Sequence, residues 1–256
     1  MVRLLAIGNS FSEDATYYLH QILESAGVDN QVINLYIGGC PLERHWENIE
    51  SDGAEYQLQL DGKKTERYVS IHEALKTFNP DHVILHQASH DSGWEVSYEP
   101  FLELILAYLA EQAPQAKIWL NQTWAYEKDS NHKRFVRYNR NQQEMYEKLS
   151  FCYRKMAEKY HLPLIPSGDM IQKLRGRDLF KPEQGGMSIC RDGFHMSFLY
   201  GRYALASMWA RAVFKVDAET NTYIPKTEYL PDVSAEAEIL EVLKKTVDET
   251  AEAEQL

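Results

Sequence analysis

Leu4-Leu5-Ala6-Ile7-Gly8-Asn9-Ser10-Phe11-Ser12 is the stretch on which the fold turns. Its four leading residues form a short, continuous apolar run, the pattern of a strand buried on both faces. Gly8-Asn9-Ser10 breaks that run. Residues 14–26 follow with Tyr17, Tyr18, Ile22, Leu23 and Ala26 at helical spacing. A buried strand leading through a tight turn into a helix is the start of a β-α-β unit.

The same alternation continues downstream. Residues 31–37, 82–86, 117–120 and 162–165 read as strands, and residues 101–113, 139–160 and 197–214 as helices. Residues 56–60 and 66–70 flank Asp61-Gly62, a hairpin signal. The expected fold class is therefore α/β, a three-layer α/β/α sandwich around a central, mostly parallel sheet, with a small β-hairpin insertion. In such a sheet the ligand site lies at the carboxyl ends of the strands. Residues 1–232 are expected to form this domain. Residues 233–256 are rich in Ala and Glu, with Ile239, Leu240, Leu243 and Val247 on one side. They read as an acidic amphipathic helix that packs on the body or on a second subunit, the latter giving a homo-oligomer.

Composition narrows the function classes. The 256 residues carry 27 basic against 38 acidic side chains, a net charge of −11, which argues against a nucleic-acid partner. No apolar run approaches a membrane span, so no membrane partner is expected. Cys40, Cys152 and Cys190 are too few and scattered for a disulfide framework or a zinc site. Arg3 interrupts the apolar start before Gly8, so the chain lacks a secretory signal pattern and a cytoplasmic location is the expectation.

Four signals carry chemistry. Ser10 follows the first strand and precedes a helix, where a serine is either a nucleophile or a helix cap. In Arg191-Asp192-Gly193-Phe194-His195-Met196-Ser197, an Asp and a His three apart can meet across one turn. The carboxylate then holds Nδ1–H and frees Nε2 to take a proton; a turn Asp beside an incidental His is the bland reading. Gly38-Gly39, at the end of the second strand, lets backbone approach a ligand, so one N–H can serve as an oxyanion donor. Gln87, at the end of the third, offers a side-chain amide for the same purpose. Asn121, Gln122 and Trp124, at another strand end, either line a sugar pocket or belong to the core. Cys40 lacks a base partner and reads as packing. His86, His90 and Asp91 do not complete a coordination set with His195, so neither metal nor organic cofactor is expected.

Together these signals resemble the SGNH (GDSL-like) hydrolase superfamily, which uses Ser, Gly and Asn as oxyanion donors. Asn9-Ser10-Phe11-Ser12 is similar to its first block, Gly39 to its second, Gln87 to its third and Asp192-Gly193-Phe194-His195 to its last. The resemblance covers residues 4–214 and implies a flavodoxin-like SGNH fold. It departs from the family at Asn9, where the first-block Asp is expected, and at Gln87, where the third-block Asn is expected. Carbohydrate-acetylesterase branches do carry Gln in the third block. The resemblance thus implies a serine esterase acting on an O-acyl, chiefly O-acetyl, ester of a carbohydrate or similar small molecule. Ser10 would be the nucleophile, His195 the base and Asp192 its orienter, with Ser10 N–H, Gly39 and Gln87 holding the oxyanion. Asn9, Gly38, Asn121, Gln122 and Trp124 would touch substrate. A catalytically inactive carbohydrate-binding protein on the same scaffold, and a short-chain lipase or thioesterase, are the alternatives.

Overall fold

The computed structural model describes all residues, 1–256. Its centre is β1 (Val2–Gly8), whose residues Leu4 to Ile7 are at most 1% exposed, so both faces of the sheet are covered there. β1 pairs in parallel with β2 (Asn30–Tyr36) on one side and β5 (His82–Leu85) on the other. β5 continues in parallel to β6 (Lys117–Asn121) and β6 to β7 (Leu164–Ile165). On the far side, β3 (Tyr56–Leu60) runs antiparallel to β2, and β4 (Lys63–Val69) antiparallel to β3. The seven-stranded order is β4-β3-β2-β1-β5-β6-β7. Counting parallel strands alone, this is the doubly wound order 2-1-3-4-5, with its switch point beside β1. β3 and β4 turn at Asp61-Gly62 and extend the edge of the same sheet, with β4 starting at Lys63 where the sequence pattern placed the second strand at 66–70.

Two groups of mutually packed helices accompany the sheet. One holds α1 (Ser10–Thr16), α2 (Leu19–Ser25), α7 (Ser167–Arg175), α8 (Tyr200–Phe214) and α9 (Ala237–Ala253). The other holds α3 (Leu42–Ser51), α4 (Ile71–Phe78) and α5 (Phe101–Gln112). α6 (Gln142–Tyr160) packs near β7 and α7. α8 is buried on nearly every side, including Met208, Trp209 and Ala204, as befits a helix that is apolar all round. α9 lays Ile239, Leu240, Leu243 and Val247 against α8 and α7 of the same chain. No helix is long and apolar enough to cross a membrane.

Three details differ from the sequence reading. The single helix expected over residues 14–26 is two short ones, interrupted at Tyr17-Tyr18, where the Tyr18 hydroxyl donates to the Phe198 carbonyl at 3.1 Å. α3, α4 and α7 lie in stretches without an assigned element, being short, with charged residues over much of their surface. The first helix starts at Ser10 rather than 14, because Asn9 caps it.

Candidate active site

Asn9 has extended backbone and ends β1; its Oδ1 accepts the Phe11 N–H at 3.0 Å, starting α1 one residue later at Ser10. The same Oδ1 meets His86 Nε2 at 3.1 Å, and Asn9 Nδ2 donates to the Cys40 carbonyl at 3.1 Å. One buried amide thus joins the ends of β1, β2 and β5. Burial lowers the His86 pKa to about 4, so this imidazole is neutral and an uncharged Asn suits it. Asn9 is only 1% exposed with its amide spent on these contacts, which corrects the expectation that it touches substrate.

Across the site, residues 190–196 form a narrow loop closed by the Cys190–Met196 bridge. Asp192 Oδ1 accepts the backbone N–H of Phe194 at 3.2 Å and of His195 at 2.7 Å, while Oδ2 meets His195 Nδ1 at 2.7 Å. Burial pushes the Asp192 carboxyl up, but these bonds and the His195 charge outweigh it and leave the group below the usual carboxylate range. The turn needs Gly193, whose φ is +84° and whose Cα faces Ser130 so closely that a Cβ would stand 2.9 Å from Ser130 Cα. His195 Nε2 then lies 2.9 Å from Ser10 Oγ. Ser10, His195 and Asp192 are therefore brought together from positions 185 residues apart, in the geometry of a nucleophile, a base and its orienter.

A buried carboxylate that the sequence reading missed holds the two halves. Asp14, 0% exposed on α1, accepts from Arg191 Nη1 at 2.9 Å, Arg202 Nε at 2.8 Å and the Met196 N–H at 2.8 Å. It ties the helix carrying Ser10 to the residue after His195. Its only sequence signal was a charge beside Phe11 and Ala15 on the buried face of α1. Beneath the loop, Trp124 Nε1 donates to the Phe194 carbonyl at 2.7 Å, and its ring stacks on Phe11 at 4.0 Å.

The Gly38-Gly39 turn is exposed, and neither N–H is hydrogen-bonded within the fold. Gly39 has φ +62°, which a glycine adopts without strain. Ser10, as the first residue of α1, also lacks an intrahelical acceptor for its N–H. Gln87 differs. It is fully buried; Oε1 accepts the N–H of Leu42 at 3.0 Å and of Ala88 at 2.7 Å, and Nε2 donates to Ser97 O at 2.6 Å and Ser97 Oγ at 3.2 Å. The amide nitrogen is turned onto Ser97, on the loop after β5, so the expected oxyanion role gives way to a structural one.

The expected sugar wall is likewise corrected. Asn121, Gln122 and Trp124 are all 0% exposed. Asn121 Oδ1 accepts from Ser167 and Trp209, and the Gln122 amide binds Ser150 and Asp169. Cys40 is buried, with its thiol pKa pushed up to about 12, as packing requires. No three His, Cys, Asp or Glu side chains are grouped to hold a metal ion. A cavity of about 540 Å³ lies between residues 127–129, Gln142, Gln172, Arg175 and Glu183, and none of the Ser10, His195 and Asp192 side chains lines it.

The solved structures similar to this chain have the same architecture. A DUF4886 family protein from Bacteroides uniformis is 32% identical, covers 98% of this chain and 95% of its own, and superposes with a TM-score of 0.87. An acetyl xylan esterase, AlAXEase, is 17% identical over 83% of this chain and 100% of its own, with a TM-score of 0.55. A catalytic mutant of an acetylxylan esterase from Geobacillus stearothermophilus is 13% identical over 82% and 93%, with a TM-score of 0.54. At these identities the two esterases speak to the fold alone. No curated protein matches the sequence. The family described as a domain of unknown function, DUF4886, matches residues 3–238, and the chain belongs to that family.

Proposed function

We propose that this protein is a serine esterase that removes an O-acyl group, chiefly acetyl, from a carbohydrate or similar small molecule through an acyl-enzyme. The observation that carries the reading is the unbroken chain from Ser10 Oγ to His195 Nε2 at 2.9 Å and from His195 Nδ1 to Asp192 at 2.7 Å. The fold shared with two acetyl xylan esterases supports the substrate class.

In this mechanism Asp192 accepts Nδ1–H and leaves the Nε2 lone pair facing Ser10. His195 takes the hydroxyl proton as Oγ attacks the ester carbonyl. The tetrahedral oxygen is held by the Ser10 and Gly39 N–H groups, which the fold leaves unpaired. The imidazolium, stabilised by Asp192, returns its proton to the departing alcohol. Water then enters, gives a proton to His195 and attacks the acyl-serine; the imidazolium passes that proton to Ser10 Oγ as the acyl C–O bond breaks, releasing the acid and restoring both residues.

The test is Ser10→Ala, assayed for 4-nitrophenyl acetate hydrolysis and for labelling by a fluorophosphonate probe. Wild type is expected to turn over and to label, and the variant to do neither while keeping its circular dichroism spectrum. A folded Ser10→Ala protein with wild-type turnover, or a wild type that neither labels nor hydrolyses, overturns the esterase reading; the latter result is that of a binding protein on a hydrolase scaffold.

A further inference from the structure

Two loops at the carboxyl ends of β5 and β6 meet beside the catalytic imidazole. The Phe194 ring lies 4.2 Å from the His195 ring, and His132 stands edge-on to Phe194 at 4.8 Å. Tyr126 backs His132 at 4.7 Å, and His90 lies parallel to His132 at 6.0 Å. Phe194, His132 and His90 are each partly exposed, whereas Tyr126 is fully buried behind them. The strip leads outward from His195, and its exposed part is two imidazoles and one phenyl ring.

The protons on these imidazoles are assigned by their neighbours. His132 Nδ1 accepts the Arg134 N–H at 3.2 Å, so the ring hydrogen sits on Nε2, which has no acceptor in the fold. His90 Nε2 meets Asp91 Oδ2 at 3.2 Å, so its hydrogen sits there and Nδ1 is left as an acceptor. Asp91 is itself held by Arg137. The strip therefore presents one free donor and one free acceptor beside an apolar face. An alkyl alcohol would leave both unpaired on desolvation, and that loss disfavours it. A carboxylate gains little either, since burial, then His90 and His195, lower the His132 pKa and keep the ring uncharged. Neutral hydroxyl groups on a ring satisfy all three features.

We propose that Phe194, His132 and His90 form the subsite for the alcohol half of the substrate, a polyhydroxylated ring that lies against Phe194 and exchanges hydrogen bonds with His132 Nε2–H and His90 Nδ1. The assignment rests on Ser10 being the nucleophile and specifies what the leaving alcohol is.

The experiment compares kcat/KM for an acetylated methyl pyranoside with kcat/KM for 4-nitrophenyl acetate, in wild type, His132→Phe and His132→Asn. Phenylalanine keeps the ring packing and loses the donor. Asparagine keeps an acceptor for the Arg134 N–H but cannot reach the ligand. In both variants the ratio of pyranoside to nitrophenyl kcat/KM is expected to fall about tenfold, the worth of one neutral hydrogen bond. A ratio within about twofold of wild type in either variant overturns the subsite, as does a wild type that hydrolyses nitrophenyl acetate but no acetylated pyranoside. Those results leave the esterase reading standing, whereas turnover surviving in Ser10→Ala removes the reading itself.

Discussion

Asp14→Asn is the substitution that most directly tests how the site is held. The side chains are isosteric, so no cavity forms. What changes is charge: Arg202, 3% exposed, and Arg191, 21% exposed, lose their shared carboxylate. Arg202 makes its ion pair with Asp14 alone, with Glu13 acting on it only from further off, and its Nη1 is already buried without a partner. Its remaining support is the faces of Tyr17 at 4.3 Å, Phe198 at 5.0 Å and Tyr229 at 5.4 Å. The amide must also turn an NH2 toward a guanidinium or toward the Met196 N–H. Removing one partner of a buried ion pair costs about 3–5 kcal/mol. In a chain of this size each kcal/mol moves Tm by about 2–4 °C, so the variant should melt about 6–20 °C lower. The proposed catalysis should suffer separately, because Met196, adjacent to His195, loses its anchor to α1. In the role of base proposed for His195, a displacement of about 1 Å can cost about 100-fold in rate. Differential scanning fluorimetry and kcat/KM, measured well below the variant's Tm, read the two effects. A Tm within about 2 °C of wild type, with unchanged kcat/KM, refutes the clamp.

Other consequences are equally measurable. Gln87→Ala strands the buried Leu42 and Ala88 N–H groups and the Ser97 carbonyl, each worth about 1–3 kcal/mol, so Tm should fall while kcat drops less than about tenfold; a 10²–10³-fold loss in kcat at unchanged Tm would restore Gln87 to the oxyanion site. Burial keeps His45 neutral to about pH 3 and His86 to about pH 4. Both folded values lie below the unfolded 6.5, so the unfolded chain binds more protons between pH 6.5 and 4, and stability falls as pH falls through that window, by at most about 1.4 kcal/mol per pH unit for each imidazole. Urea midpoints of wild type and His86→Asn from pH 6.5 to 4.5 should therefore converge toward acid; parallel curves would sink the assignment.

Much of this architecture is determined by local pattern. The apolar run at residues 4–7, the Gly8-Asn9-Ser10 break and the later strand-helix alternation require a doubly wound sheet, because strands buried on both faces must have helices on both sides. Ser10 and the Asp192–His195 pair were legible for the same reason: a strand-to-helix turn and a three-residue spacing are conformations that neighbouring residues settle among themselves. The direction of a strand-end side chain is settled elsewhere. Gln87, Asn121, Gln122 and Trp124 all occupy the carboxyl ends of strands, where ligand residues belong, yet each turns inward to satisfy buried polar groups on Ser97, Ser167, Asp169 and Phe194. Those partners come from other segments, so no local pattern announces them. The Asp14–Arg202 pair spans 188 residues, and its carboxylate and guanidinium are affordable inside only because packing brings them within 2.8 Å. Tertiary structure alone decides such contacts, since burial favours a partner for each polar atom, and which partner depends on what the rest of the chain delivers to that place.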